Sequence, residues 1–163
     1  MTLTIRPATL ADVPELTLLI NRIIAVGGTT AHETPFTEAR FVEKYISNPK
    51  AISCHVAEDA TGRLIGYQVL GRSDQFPPDW AEVGTFVDPE VQRSGAGAAL
   101  FAATLATARA AGVVTIDATI RADNAPGLGY YTKRGFRDYA TDPDYCLKDG
   151  TKVGRISKRF DLG

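Results

Sequence analysis

Apolar residues recur along this chain with two different periods, and the switches between them mark its elements. Leu16, Leu19, Ile20, Ile23 and Ile24 fall at helical spacing and form one stripe. Thr9 to Asp12 reads as a capping box at the start of that helix, Pro14 suits its first turn, and Gly27-Gly28 ends it. A second helix, Thr37 to Ser47, turns Phe41, Val42, Tyr45 and Ile46 inward and stops before Pro49. Period-two stretches predict strands over Leu3–Arg6, Ile52–Glu58 and Arg63–Gly71, the last two joined as a hairpin by Asp59 to Gly62. Ala81–Val87 is a further strand, ended by Asp88-Pro89 because Pro has no N–H for a ladder. A helix follows from about Gly95 to Ala111, with Gly112 as its stop. Val113–Ile120, dense in β-branched residues, reads as a buried strand. Asn124 is a suitable N-cap and Gly135 a suitable C-terminal stop for a helix ending at Arg134. Phe136–Ala140 and Lys152–Phe160 close the chain as strands.

The order β-α-α-β-β-β-α-β-α-β-β predicts one mixed α/β domain over residues 1–163. Its sheet should be mostly antiparallel, with about four helices around it. A helix separates Ala81–Val87 from Val113–Ile120, so those two strands should form a parallel βαβ pair.

Composition narrows the function by exclusion. The net charge of −1 argues against nucleic acid as a partner. No apolar run approaches about 18 residues, so no membrane span is expected. The opening Met-Thr-Leu-Thr-Ile-Arg lacks a signal-peptide core. Cys54 and Cys146 are in no metal spacing, which reads as reduced thiols in a cytoplasmic protein with no metal. A homodimer is left open.

The candidate chemistry lies between Glu82 and Gly97. Gly95 and Gly97 leave a helix start without side chains, where free N–H groups and the helix dipole favour an anion such as phosphate. No Walker sequence occurs. Gly95-x-Gly97 could begin a dinucleotide fingerprint, with Asp117 as its ribose acid. Its third position is Leu100, however, and six residues separate the loop from its strand.

Gln92-Arg93-Ser94-Gly95-Ala96-Gly97 fits Q/R-x-x-G-x-G/A. Downstream come Asn124 and then Tyr130-Tyr131-Thr132-Lys133-Arg134-Gly135-Phe136. In both motifs and their separation, the stretch from 81 to 137 resembles the GNAT acyltransferase superfamily. The resemblance implies a GNAT-like fold whose central parallel strands splay apart to admit acyl-CoA. It implies an N-acetyltransferase that moves an acetyl group from acetyl-CoA directly to a primary amine of a small molecule, an amino acid or analogue among the candidates. The alternative is a module that holds acyl-CoA without turnover, or one that serves a peptide amine.

By the same resemblance the backbone of Arg93 to Ala98 binds pyrophosphate, with Gln92, Arg93, Ser94, Gly95, Ala96, Gly97 and Ala98 as the cofactor loop. The N–H of Phe86 or Val87 polarises the acyl carbonyl. Asn124 contacts the pantetheine arm or positions the acid, and Tyr131 protonates the leaving sulfur. Glu82, on one strand face with Gly84 and Phe86, is the base, with His32 and Glu33 as loop alternatives. Each residue also has a plainer role: a helix cap for Asn124, a packed ring for Tyr131, a solvated charge for Glu82 and Arg93. Gly127 departs from the family, which often has Ser there. The Thr29-Thr30 neighbourhood has a faint likeness to acetyltransferases of amino acids and phosphinothricin-like compounds, which does not decide a substrate.

Overall fold

A computed structural model describes residues 2–91 and 94–163 of the chain. Gln92 and Arg93, expected in the cofactor loop, lie outside the described residues.

Seven strands form one sheet among the described residues: β1 (Thr4–Pro7), β2 (Ala51–Glu58), β3 (Leu64–Gly71), β4 (Trp80–Val87), β5 (Thr115–Arg121), β6 (Arg137–Asp142) and β7 (Arg155–Asp161). Their spatial order is β1-β2-β3-β4-β5-β7-β6. Only β4 and β5 run parallel, as the intervening helix requires. Helices α1 (Val13–Val26) and α2 (Glu38–Phe41) lie towards one face, and α3 (Ala96–Ala110) and α4 (Ala125–Arg134) towards the other.

Each helix forms for a local reason. The α1 stripe of Val13, Leu16, Leu19, Ile20 and Ile23 is buried against Tyr67 and Phe86 of the sheet, while Leu18 on the other side is exposed. At its entry the Asp12 carboxylate accepts the Thr9 N–H at 2.8 Å. The first turn there, Leu10–Asp12, is a tighter 3-10 turn, so the α-helix proper starts at Val13 rather than just after Thr9. α2 departs from its expected form: after Phe41 it widens into a π-helical turn, Val42–Ile46, closed by a Ser47 N–H to Val42 C=O bond of 2.8 Å. That extra residue per turn displaces Lys44 and Tyr45 relative to a regular helix. The final strand begins at Arg155 rather than Lys152, because Lys152 pairs with Cys146 across the preceding loop.

The pairing of β4 with β5 is brief. Trp80, Ala81 and Glu82 lie opposite Thr115, Ile116 and Asp117, and no pair follows. Beyond Glu82, β4 stays in register with β3 as far as Val87, and β5 stays with β7 as far as Arg121. The sheet therefore opens between its two middle strands, which is the expected splay. Asp88 is fully buried at the end of β4. Burial alone would raise its pKa, but the Glu90 N–H and the guanidinium of Arg22 bring it below the ordinary carboxylate value. Arg63 also pairs with it.

Candidate active site

Each wall of the splay brings different chemistry. On the α3 side, Gly95 caps the helix at φ 85°, a conformation that side chains avoid, and the space where its Cβ would stand is open. The first-turn N–H groups have no intrahelical partner by construction, and Ser94 Oγ accepts that of Ala96 at 3.3 Å. Gly95 thus fits an anion at the helix end. Gly97 is small for another reason. A Cβ there would stand 2.6 Å from Tyr130 Cε1, so it is the α4 ring rather than a ligand that fills the space.

On β4, the register decides where backbone donors point. Asp88 N–H donates to Ile65 C=O at 2.8 Å. Alternation in an antiparallel ladder then commits the N–H of Phe86 to Tyr67 and turns that of Val87 away from β3, towards the gap. Of the two expected donors, it is the Val87 N–H that faces the gap. The Phe86 side chain is buried and stacks on Tyr67 with ring centroids 4.8 Å apart.

α4 supplies the polar groups of the other wall. Asn124 caps it, accepting the Gly127 N–H at 3.0 Å and donating through Nδ2 to the Thr29 carbonyl at 3.3 Å. A Cβ at Gly127 would strike that amide at 2.4 Å, so this cap rotamer excludes the Ser common in the family. Arg121 donates to the neighbouring Thr30 carbonyl at 3.2 Å, and the two residues tie the loop after α1 to the end of β5. Tyr131 is buried, its hydroxyl 2.7 Å from Thr85 Oγ1, and burial keeps it protonated well above the ordinary tyrosine range. Tyr130, read from the sequence as the core aromatic, donates its hydroxyl to Gly97 C=O at 2.7 Å.

On the α1–α2 face, a cavity of about 260 Å³ opens beside the splay, lined in part by His32, Lys44, Tyr45, Arg72, Glu82 and Phe86. Glu82 and Phe86 share this face by the two-residue period, as expected. Glu82 is solvent-exposed on the cavity wall, yet the protein packed around its carboxyl partly desolvates it and raises its pKa; the carboxylate of Asp117 adds to this, while Lys44 opposes both. Asp117 lies opposite Glu82 in the parallel pair and is itself buried, holding hydroxyl donors from Tyr139 at 2.6 Å and Thr119 at 2.9 Å.

Of the loop alternatives, His32 lines the cavity and Glu33 does not. The Glu33 carboxylate accepts the Lys148 N–H at 3.1 Å. His32 sits beside Tyr45, with Nε2 3.1 Å from its hydroxyl. Burial, aided by Lys44 and Arg40, pushes its pKa down to about 4. The other cations of the cavity are engaged. Lys50 pairs with Asp74, and Arg72 donates to the carbonyls of Pro78 and Ala111. Among the described residues Lys44 has no anionic partner; its ammonium stands 5.7 Å from the Tyr45 ring centroid.

Three residues here escaped the sequence reading, Lys44, Gln68 and Thr85, and Asp117 entered it only as the ribose acid of the dinucleotide fingerprint. Gln68 carried a signal, as the lone amide in the apolar run of β3. The cysteines separate in environment, Cys54 buried with its thiol pushed up to about 12 and Cys146 exposed. No described group of His, Cys, Asp and Glu could hold a metal ion, and no described helix is long and apolar enough to cross a membrane.

A mixed sheet split at its parallel pair, with a capped helix end on one side and a carboxylate-bearing cavity on the other, defines an acyltransferase class. Comparison with known proteins places the chain within it. The profile of the acetyltransferase (GNAT) family matches residues 22–136, and the chain belongs to that family, whose cosubstrate is acetyl-CoA. The L-methionine sulfoximine/L-methionine sulfone acetyltransferase of Pseudomonas aeruginosa is 31% identical over 160 residues, covering 95% of this chain and 90% of that protein. The mycothiol acetyltransferase of Clavibacter michiganensis is 41% identical over 91 residues, which are 55% of this chain and only 28% of that protein's length. A phosphinothricin acetyltransferase from Sinorhizobium meliloti, solved in complex with AcCoA, shares the fold at a TM-score of 0.88 and 24% identity, over 100% of this chain and 90% of that one.

Proposed function

We propose that the protein acetylates the primary amine of a free amino acid or amino-acid analogue, taking the acetyl group directly from acetyl-CoA. The observation that carries this reading is the charge pattern of one cavity, where the Glu82 carboxylate and the Lys44 ammonium, without an anionic partner among the described residues, line the same space. A free amino acid is a small zwitterion. Its ammonium suits Glu82 and its carboxylate suits Lys44. A polyamine would find Lys44, Lys50 and Arg72 repulsive. The named activity of the Pseudomonas relative, on two amino-acid analogues, supports the same class.

The chemistry follows from the placement of each group. An alkylammonium has a pKa of about 10 and must lose its proton before it can attack. Glu82, with its pKa raised, is a better base for that proton than an ordinary carboxylate. The Val87 N–H, turned towards the gap, polarises the carbonyl as it becomes tetrahedral. Tyr131, kept protonated by burial, gives its proton to the departing sulfur. The N–H groups of Ser94 to Ala98 hold the pyrophosphate, and the open space at Gly95 admits it.

The test is CoA release over a panel of amino acids, their decarboxylated counterparts, polyamines, aminoglycosides and short peptides. Amino acids or their analogues should show the highest kcat/KM. Lys44→Ala should cost the amino acid about tenfold in kcat/KM and should not lower that of its decarboxylated counterpart. A peptide or polyamine preferred tenfold over every amino acid would overturn the acceptor assignment.

A further inference from the structure

A fully buried glutamine lies beneath the splay and belongs to no motif. Gln68, on β3, reaches two hydroxyls with a single atom: its Nε2 is 2.9 Å from Thr85 Oγ1 and 3.1 Å from Tyr130 Oη. Tyr130 Oη is also 2.7 Å from the Gly97 carbonyl, in the first turn of α3. Thr85 Oγ1 is 2.7 Å from Tyr131 Oη. Together these contacts run from the cofactor-loop helix to the residue assigned as the acid.

Counting protons gives the chain a direction. The Gly97 carbonyl can only accept, so the single hydroxyl proton of Tyr130 goes to it. Tyr130 oxygen is then an acceptor towards Gln68, which must present its NH₂ rather than its carbonyl. The second proton of that NH₂ goes to Thr85 Oγ1. Gln68 Oε1 is left buried without a partner, the cost of an orientation set by its two donations. Accepting from Gln68 polarises the Thr85 hydroxyl and makes it a stronger donor, and Tyr131 Oη is the acceptor within reach of its proton among the described residues.

We infer that Gln68 is a positioning residue, which, acting through Thr85, keeps the Tyr131 hydroxyl proton turned away from β4 and available to the leaving sulfur. The inference rests on the acid role given to Tyr131 above. In the step concerned, the C–S bond of the tetrahedral intermediate breaks and its electron pair stays on sulfur. The O–H bond of Tyr131 breaks, and its proton forms the S–H bond of the released thiol. The phenolate left behind receives the Thr85 hydroxyl hydrogen bond. The amine proton leaves to Glu82 and thence to solvent, and solvent reprotonates Tyr131, so amine and thioester become amide and thiol with no net proton change. Without the Gln68 donation Thr85 loses that polarisation and accepts from Tyr131 as readily as it donates, so the proton needed at sulfur spends part of its time pointing the wrong way.

The test is a double-mutant cycle in kcat, with acetyl-CoA and the best amine of the panel. Thr85→Val keeps the shape and deletes the hydroxyl; Gln68→Met keeps the length and deletes both donors. Each should lower kcat about tenfold, the order expected for one hydrogen bond felt in the transition state, with the KM for acetyl-CoA within about twofold. Thr85→Ser should retain activity. In a Tyr131→Phe background neither Thr85→Val nor Gln68→Met should lower kcat by more than about twofold, because the proton they orient is gone. Equal falls in both backgrounds would overturn the inference, as would Thr85→Val at wild-type kcat. If Gln68→Met fails to fold, the Thr85→Val and Thr85→Ser pair decides alone. Should no amine release CoA, the proposed function fails by itself, and nitrogen-15 NMR of the Gln68 side-chain amide still tests the donor assignment. Thr85→Val should shift one of its two proton resonances and Tyr130→Phe the other; resonances that move in neither variant overturn it.

Discussion

Replacing Gly97 by Ala separates two effects that usually travel together. In a helix interior Ala is favoured over Gly by up to about 1 kcal/mol, and by less in the first turn, where Gly97 stands. The family pattern accepts Ala at this position. In this chain, however, the new methyl would stand 2.6 Å from Tyr130 Cε1, where ordinary contact begins at 3.4 Å. The ring has little room to yield. Its hydroxyl is held by Gly97 C=O and Gln68, and the Tyr131 ring stands edge-on with centroids 4.9 Å apart. Overpacking of this kind costs about 1–3 kcal/mol. The helix gain offsets part of that, leaving a net loss of about 1 kcal/mol, or about 2–4 °C in Tm for a domain of this size. Gly129→Ala is the control, since nothing lies within 4 Å of that Cβ position in α4. It should raise Tm by up to about the same amount. Thermal unfolding followed by circular dichroism and calorimetry measures both variants. A Gly97→Ala protein as stable as Gly129→Ala would show that Tyr130 moves freely, and would refute the account of Gly97 as a contact residue.

Two further outcomes are expected. Gly95→Glu puts a bulky anion at the helix end and a side chain into a φ 85° conformation. It should abolish acetyl-CoA binding in titration calorimetry while circular dichroism stays native, and unchanged affinity would remove this helix end from the site. His32, neutral in the fold with its pKa pushed down to about 4, should titrate by proton NMR near pH 4 rather than at 6.5. Because the unfolded chain takes up this proton first, His32 should subtract stability progressively as pH falls from 6.5 to 4 and have no effect above 6.5. A midpoint near 6.5 would mean that the ring is solvated.

What could be read from the sequence was local. The α1 stripe, the Asn124 cap, the Gly135 stop and the strand alternation depend on neighbours two to four positions away, so periodicity and capping chemistry gave the element order. The parallel pair followed from the helix between its strands. Tyr131 stood out by motif and Glu82 by its place on the central strand, and the structure puts Glu82 on the cavity and Tyr131 over β4. Tertiary structure decided the remainder, because contacts between distant segments leave no local trace. Asn124 meets the carbonyl of Thr29 across 95 positions, Glu33 turns to Lys148 across 115, and Gln68 meets Tyr130 across 62. The direction of the Val87 N–H depends on which residues of β3 and β4 stand opposite one another, and a shift of one residue would reverse it. Gly97 shows the limit most clearly. The motif allowed Gly or Ala there, and only the ring of Tyr130, placed by the packing of α4 on α3, restricts the choice to Gly.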